Sequence, residues 1–263
     1  MRLAVFGATG RMGLAVTRLY REFDDVELVG AICASSDPNL GRDIGELAGV
    51  GSVGVVASAD IASGLLGANV VIDFSNAKAV LPLLDAAKKQ KVAVVSGTTN
   101  LGAAERSALE VAASKVAVLW APNMSRGVQV LAEVVAHAVK RLGLEFDVEI
   151  VETHHRRKVD APSGTALRLA RAVHEARPGL QESYGRHGDV GARPEDEMAI
   201  VALRGGDVIG DHVVHLFGPG ERLELTHRAT NRDLFARGAI AAARELAGRS
   251  PGLYDIKDVL GAG

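Results

Sequence analysis

A single cysteine among 263 residues excludes an internal disulfide and leaves too few thiols for a cysteine-rich zinc site. That residue, Cys33, closes the apolar run 28–33 and reads as a small buried hydrophobe rather than a reactive thiol. No uncharged apolar stretch reaches the ~18 residues of a membrane-spanning helix. The opening MRLAVFGATG lacks the basic start, apolar stretch and cleavage site of a secretory signal. An excess of one charge is missing too. The 30 Lys and Arg residues face 32 Asp and Glu, so nothing global draws nucleic acid or an anionic membrane. An acidic ligand must be attracted by a local cluster of cations. There is no His-Glu-x-x-His metal pattern, no Gly-x-Ser-x-Gly hydrolase elbow, no internal repeat and no low-complexity tract. The expectation is a soluble, cytoplasmic protein with no metal, nucleic acid or membrane partner.

What is present is ample apolar material, 48% of the chain, in two successive patterns. In the first half, short apolar runs at 3–6, 27–32, 70–74, 92–96 and 116–120 read as strands buried on both faces. Segments 14–23, 78–89 and 103–114 between them carry apolar residues at helical spacing. This alternation predicts an α/β fold with a Rossmann-type, doubly wound parallel sheet. From about Met124 the pattern changes. Ser125 can cap a helix through Arg141, with Gly143 as its stop. Segments 146–153 and 221–227 alternate apolar and polar residues, and 198–203 and 208–217 flank a Gly205-Gly206-Asp207 turn that suggests a hairpin. This half is expected to be an α+β domain with an open, mostly antiparallel sheet. Residues 1–125 are assigned to a dinucleotide-binding domain, with 236–263 packing back on it, and 126–235 to a substrate-binding and oligomerisation domain. The polar, glycine-rich stretch 177–193 is expected to be a long loop.

Between the first strand and first helix stand Gly7, Ala8, Thr9, Gly10, Arg11, Met12 and Gly13. Glycines there permit a tight turn and let a pyrophosphate approach the free amides and positive end of the helix. At the tip of the second strand, Ala34, Ser35, Ser36 and Asp37 replace the acidic residue that usually holds the ribose of NAD. Ser35 can bond an added phosphate, so the lean is to NADPH, with NADH also accepted. Gly97, Thr98 and Thr99 follow one buried strand, and Ala121, Pro122, Asn123 and Met124 follow the next. Both lie at the carboxyl ends of strands, where ligands of doubly wound sheets sit.

The densest chemistry is the run from Glu152 to Ala166, ETHHRRKVDAPSGTA. It starts where an alternating strand stops and ends where a helix starts. Five consecutive titratable or cationic residues, His154 to Lys158, precede Ser163, a helix cap. Gly164 and Thr165 then present first-turn amides with no intrahelical acceptor, a device that binds carboxylate. Adjacent histidines cannot easily share one metal, which leaves acid–base work by a histidine helped by a lysine. His137, His212 and His215 are expected to be structural. His227 is a candidate for the rim, and Glu152 either orients a neighbouring histidine or simply ends its strand.

The run HHRRKVDAPSGTAL closely resembles the signature of the dihydrodipicolinate (4-hydroxy-tetrahydrodipicolinate) reductase family. GATGRMG, VIDFS at 71–75, SGTT at 96–99, APNMS at 121–125, ERLELTHRA at 221–229 and the tail GLYDIKDVL follow in that family's order. The resemblance implies a two-domain homotetramer whose second-domain sheets make the subunit contacts. It also implies NAD(P)H-dependent reduction of a cyclic unsaturated imine dicarboxylate to tetrahydrodipicolinate, in lysine and diaminopimelate biosynthesis. His154 matches the acid–base histidine and Lys158 the proton donor. His155, Gly164 and Thr165 match contacts to the substrate carboxylates, and Arg232 a further arginine near the substrate. Gly7 through Met12, Gly97 to Thr99 and Ala121 to Met124 match cofactor contacts. Asn100 stands where the family commonly has glycine. An aspartate-semialdehyde dehydrogenase would need a catalytic cysteine in the second half, and a homoserine dehydrogenase lacks the HHRRK run. A sensor that had lost its chemistry would show a degraded second-domain site, whereas His154, Lys158 and the Ser163–Thr165 helix start are all present.

Overall fold

The computed structural model describes residues 1–260 and separates into two compact units, one of residues 1–124 with the chain from Asp233 onward, the other of 125–232. The last three residues of the tail assigned to the first unit, 261–263, lie outside the described residues.

The first unit begins with β1 (Arg2–Phe6), α1 (Arg11–Leu19), β2 (Glu27–Ile32), α2 (Ile44–Ala48), β3 (Ala57–Ser58) and α3 (Ile61–Gly64). It continues with β4 (Val70–Asp73), α4 (Ala77–Gln90), β5 (Ala93–Ser96), α5 (Ala103–Ala113) and β6 (Ala117–Trp120). Successive strand residues feed opposite cores. Leu3, Val5, Ile72, Val95 and Leu119 face one, while Ala4, Phe6, Val71, Val94 and Val118 face the other. Burial on both sides is why these strands read as unbroken apolar runs. Cys33 is buried at the end of β2, where burial and then Asp37 push its thiol pKa up. Asn100 has φ 60, a left-handed conformation that asparagine tolerates better than most residues.

The second unit opens with α6 (Arg126–Leu142), where Ser125 accepts the Val128 amide at 3.2 Å and Gly143 stops the helix at φ 70. β7 (Asp147–His154) alternates strictly, with Val148, Ile150, Glu152 and His154 on its buried face. α7 (Gly164–Ala176), β8 (Gln181–Ser183), β9 (Glu197–Arg204), β10 (Asp211–Gly218) and β11 (Glu221–Arg228) complete it. The sheet order is β11-β10-β7-β9-β8. One expectation, the hairpin at 205–207, is corrected here. The open sheet is mixed, because β7 pairs with β9, and β9 with β8, in parallel, while β10 pairs antiparallel with both β7 and β11. Residues 205–207 are not a hairpin turn: β9 and β10 lie on either side of β7. The segment crosses the end of β7 instead, with the Gly205 amide on the His154 carbonyl at 2.9 Å and the His155 amide on the Val208 carbonyl at 2.7 Å. Turn residues signal that a chain reverses, not which strand lies between the two arms. The hairpin is β10–β11, closed at Gly218 and Glu221 with Gly220 at φ 81. The expected loop 177–193 contains β8. Its Arg186 and Arg193 bond Glu149 on β7, and with Asp147, Val151, His215 and Phe217 they line a cavity of about 380 Å³.

The chain then returns through α8 (Asp233–Leu246), β12 (Gly252–Tyr254) and α9 (Ile256–Leu260). Ala236, Ala239, Ile240, Ala243 and Leu246 of α8 join the first unit's core with Val5 and Ile72. A Cβ on Gly238 would fall 1.7 Å from the Met124 carbonyl oxygen, so the close approach of this helix requires glycine. β12 adds a parallel edge strand, giving the order β12-β6-β5-β4-β1-β2-β3.

Candidate active site

The carboxyl end of β1 carries three glycines with different duties. Gly7 has φ 77, and a Cβ there would lie 2.7 Å from the Phe74 carbonyl oxygen. A Cβ on Gly13 would lie 2.3 Å from the Gly7 oxygen and 2.5 Å from that of Ala8, so it lets α1 pack onto the loop. Gly10 stands at the N-cap of α1 with φ −73, exposed, and a Cβ there would meet only the Gly7 oxygen at 3.2 Å. Space is thus kept open where first-turn amides lack intrahelical acceptors, and these residues fit a dinucleotide pyrophosphate. Ala8 is buried and Met12 half-buried against the core, while Arg11 is exposed. Thr9 Oγ1 donates to Asp37 Oδ2 at 2.5 Å and the Asn39 amide to Asp37 Oδ1 at 2.8 Å, which together hold the Asp37 pKa below its ordinary value. Ser35 and Ser36 beside it are exposed.

Asp73, fully buried at the end of β4, organises the next two loops. It accepts from the Ser75 amide and hydroxyl at 2.9 and 2.6 Å, Ser96 Oγ at 2.6 Å and Thr98 Oγ1 at 2.9 Å. Trp120 Nε1 donates to the Thr98 carbonyl at 2.9 Å. Gly97 lies against the Phe74 ring, where a Cβ would come within 2.3 Å of Cε1. Thr98, Ala121 and Met124 are buried, while Thr99 and Pro122 are exposed and Asn123 half-buried.

In the second unit, Glu152 is 0% exposed and is the hub of the cluster. Its carboxylate receives both Arg204 terminal nitrogens at 2.8 Å and the Ser163 amide at 3.0 Å, and it lies 2.5 Å from His154 Nδ1. Burial pushes the Glu152 pKa up, but the bonds from Arg204 and His154 outweigh it and leave the group below its ordinary value. His154 is lowered by burial, against the opposing pull of Glu152. The His212 ring meets His154 edge-on at 5.2 Å and bonds Ser163 Oγ at 3.0 Å, and burial drives its pKa down to about 4. Ser163 Oγ also accepts the Ala166 amide at 3.1 Å, capping α7. Lys158 Nζ reaches both Asp160 oxygens at 2.8 Å, a contact that lowers the Asp160 pKa. A neutral imidazole fixed by a buried carboxylate, an ammonium and the amino end of a helix can bind a carboxylate and move a proton beside it.

Two family models match this chain: "Dihydrodipicolinate reductase, N-terminus" over residues 1–124, and "Dihydrodipicolinate reductase, C-terminus" over 127–260. The chain belongs to the dihydrodipicolinate reductase family. Among its relatives, a 4-hydroxy-tetrahydrodipicolinate reductase of Anaeromyxobacter dehalogenans (strain 2CP-C) is 46% identical over 99% of this chain and 97% of its own length. One of Myxococcus xanthus is 45% identical, covering 99% and 98%. A solved structure of dipicolinate-bound dihydrodipicolinate reductase from Paenisporosarcina sp. TG-14 shares the fold, with TM-score 0.77, 23% identity and 97% coverage of each chain. The chain is thus an oxidoreductase of a family that uses NAD(P)H.

Within this reductase fold, His154, Lys158, His155, Gly164 and Thr165 fall together around the β7–α7 junction. His155 is half-buried, Gly164 exposed with nothing within 4 Å of a built Cβ, and Thr165 buried. Arg232 is not brought into this cluster by any hydrogen bond or ion pair among the described residues; it is exposed at the last position of the second unit. His227 lies 3.3 Å from Ser125 Oγ, and His137 is exposed on α6. Arg204 was not singled out from the sequence, because its distance of 50 residues from His154 conceals their direct pairing in register on β9 and β7. His212, expected to be structural, does hold Ser163, but it does so against the ring of His154. Its clue was the alternation of β10, which puts residues 212, 214 and 216 on the buried face.

Proposed function

We propose that this chain reduces 4-hydroxy-tetrahydrodipicolinate to tetrahydrodipicolinate, consuming NAD(P)H. The buried Glu152–His154 pair beside Lys158 and the start of α7 carries this reading, within a family whose relatives bear that name. When bound, the reduced nicotinamide supplies the hydride. Lys158, His155 and the amides at Gly164 and Thr165 hold the two substrate carboxylates. The 4-hydroxyl leaves as water with a hydrogen of the adjacent ring carbon, the hydride enters at the carbon that bore it, and His154, helped by Lys158, gives a proton back to the adjacent carbon. Gly7 through Met12 seat the pyrophosphate, and Gly97 to Thr99 with Ala121 to Met124 line the nicotinamide end. Asp37, already engaged by Thr9 and Asn39, offers little to ribose hydroxyls, and exposed Ser35 favours the added phosphate. NADPH is therefore the preferred donor, with NADH accepted. The open face of the second sheet, with Leu203 49% and Phe217 38% exposed, supports assembly of a homotetramer.

The test is loss of reduced-nicotinamide absorbance with substrate generated in situ from pyruvate and aspartate semialdehyde by the preceding synthase. Oxidation that depends on both protein and substrate, faster with NADPH, is expected. Consumption of neither cofactor, although both bind, would overturn the reading. His154→Gln should lower kcat by about 10²–10⁴-fold with cofactor affinity unchanged.

A further inference from the structure

The Glu152 carboxylate is an acceptor only, and its four donors use both oxygens. Oε2 faces His154 Nδ1 and one Arg204 nitrogen, while Oε1 takes the other Arg204 nitrogen and the Ser163 amide. An ionised carboxylate so placed requires the proton of a neutral His154 ring to sit on Nδ1, which leaves the lone pair on Nε2. Arg204 pins the pair further by donating to the Asp160 carbonyl at 2.7 Å, on the segment that carries Lys158. On the Nε2 side lies Gly210. A Cβ there would come within 2.9 Å of His154 Nε2, although the backbone at 210 is not among the positive-φ glycines. Glycine at this position keeps the Nε2 edge uncovered. A buried ion pair is a poor source of stability, since taking both charges out of water offsets most of their attraction.

We propose that Glu152 and Arg204 are positioning residues for His154: together they fix its Nδ1–H tautomer and leave Nε2, over Gly210, as the atom that exchanges the proton. This rests on the acid–base reading of His154 above. The charged or titratable groups facing that ring are Glu152 on its own strand, Arg204 from β9, His212 from β10, and Lys158, paired with Asp160, from the loop that follows. Burial and the two cations disfavour protonation, and Glu152 favours it. His212 stays uncharged until well below neutrality.

The experiment is ¹⁵N NMR of histidine-labelled full-length protein, with kcat measured against pH. At pH 8 the wild type should show His154 with Nδ1 protonated and Nε2 bare. Glu152→Gln should admit the other tautomer, lower kcat by about 10²-fold at pH 7, and move the alkaline limb of kcat to lower pH. Cofactor affinity should hold within threefold. Gly210→Ala should keep the wild-type tautomer and cofactor affinity while lowering kcat. A purely structural pair would instead lower activity equally at every pH with the tautomer unchanged. That outcome, or a wild-type ring protonated on Nε2, overturns the proposal, and the second needs no variant. Full turnover in His154→Gln would sink the acid–base reading itself. An inactive His154→Gln beside a Glu152→Gln with wild-type tautomer and pH limb would sink only the positioning pair.

Discussion

Replacing Gly10 and Gly13 by alanine, one at a time, sets cofactor binding apart from packing. At Gly13 the new methyl would stand 2.3 Å from the Gly7 oxygen, 2.5 Å from the Ala8 oxygen and 2.6 Å from the Ala8 Cα, all backbone. Restoring ordinary contact requires α1 to back away by about 1 Å, and overpacking of this kind costs about 1–3 kcal/mol. For a unit of this size that lowers the melting temperature by about 2–12 °C. At Gly10 the backbone, φ −73 and ψ 165, suits alanine, and the one neighbour is 3.2 Å away. A poorer helix cap, up to about 1 kcal/mol, and a less flexible unfolded chain, about 0.4–1 kcal/mol the other way, nearly cancel. Stability should therefore stay put. The methyl, however, occupies the approach of the pyrophosphate to the α1 amides. Loss of one hydrogen bond to a charged group, about 1.5–3 kcal/mol, weakens Kd by about 10–150-fold at ~1.4 kcal/mol per decade. Fluorescence titration with NADPH and thermal denaturation of both variants read the two effects. Wild-type Kd in Gly10→Ala would show that no pyrophosphate sits there. An unchanged melting temperature in Gly13→Ala would refute the close packing.

Other outcomes follow from the second unit. Lys158→Ala should cut kcat/KM by at least about 10-fold, because a substrate carboxylate is left unpaired; steady-state kinetics at wild-type values would remove Lys158 from the site. Ser163→Ala loses the α7 cap, about 1 kcal/mol, and leaves buried His212 Nε2 without a partner, about 1–3 kcal/mol. Hydrogen exchange across residues 163–176 should rise accordingly, and unaltered protection there would contradict it. Acid should loosen the second unit first. His212 falls from its ordinary 6.5 to about 4 on folding, so its contribution is whole above pH 6.5 and fades as pH drops toward 4. His154 and His227 are lowered in the same sense by burial. In the first unit, burial raises Asp43 but is outweighed by bonds from the Val53 amide, Ser52 and other loop amides, leaving it at about 2. Its contribution therefore persists until pH falls below 3.8. Pulsed hydrogen exchange between pH 7 and 4 should show protection lost in 125–232 before 1–124; the reverse order would refute the assignment.

Local chemistry was legible in the chain. The apolar runs of β1, β2 and β4 to β6, the Gly7–Gly13 turn, the Ser125 and Gly143 limits of α6 and the Ser163 cap of α7 each depend on a few neighbouring residues. Their physics of burial on two faces, turn geometry and capping is short-range. The charged run at 154–158 likewise marked the site, because it stands out in a chain of near-zero net charge. Partnerships across the fold were decided only in three dimensions. Alternation in β9 and β10 fits a hairpin as well as two strands flanking β7, and only the crossover through α7 and β8 brings β9 back parallel to β7 while β10 runs antiparallel to it. Glu152 reads equally as an orienter of a neighbouring histidine or as a strand-ending acid until that same pairing delivers Arg204 to it and β10 delivers His212. Sequence fixes which groups can titrate; it is burial among partners 50 or more residues away that sets which nitrogen of His154 holds the proton.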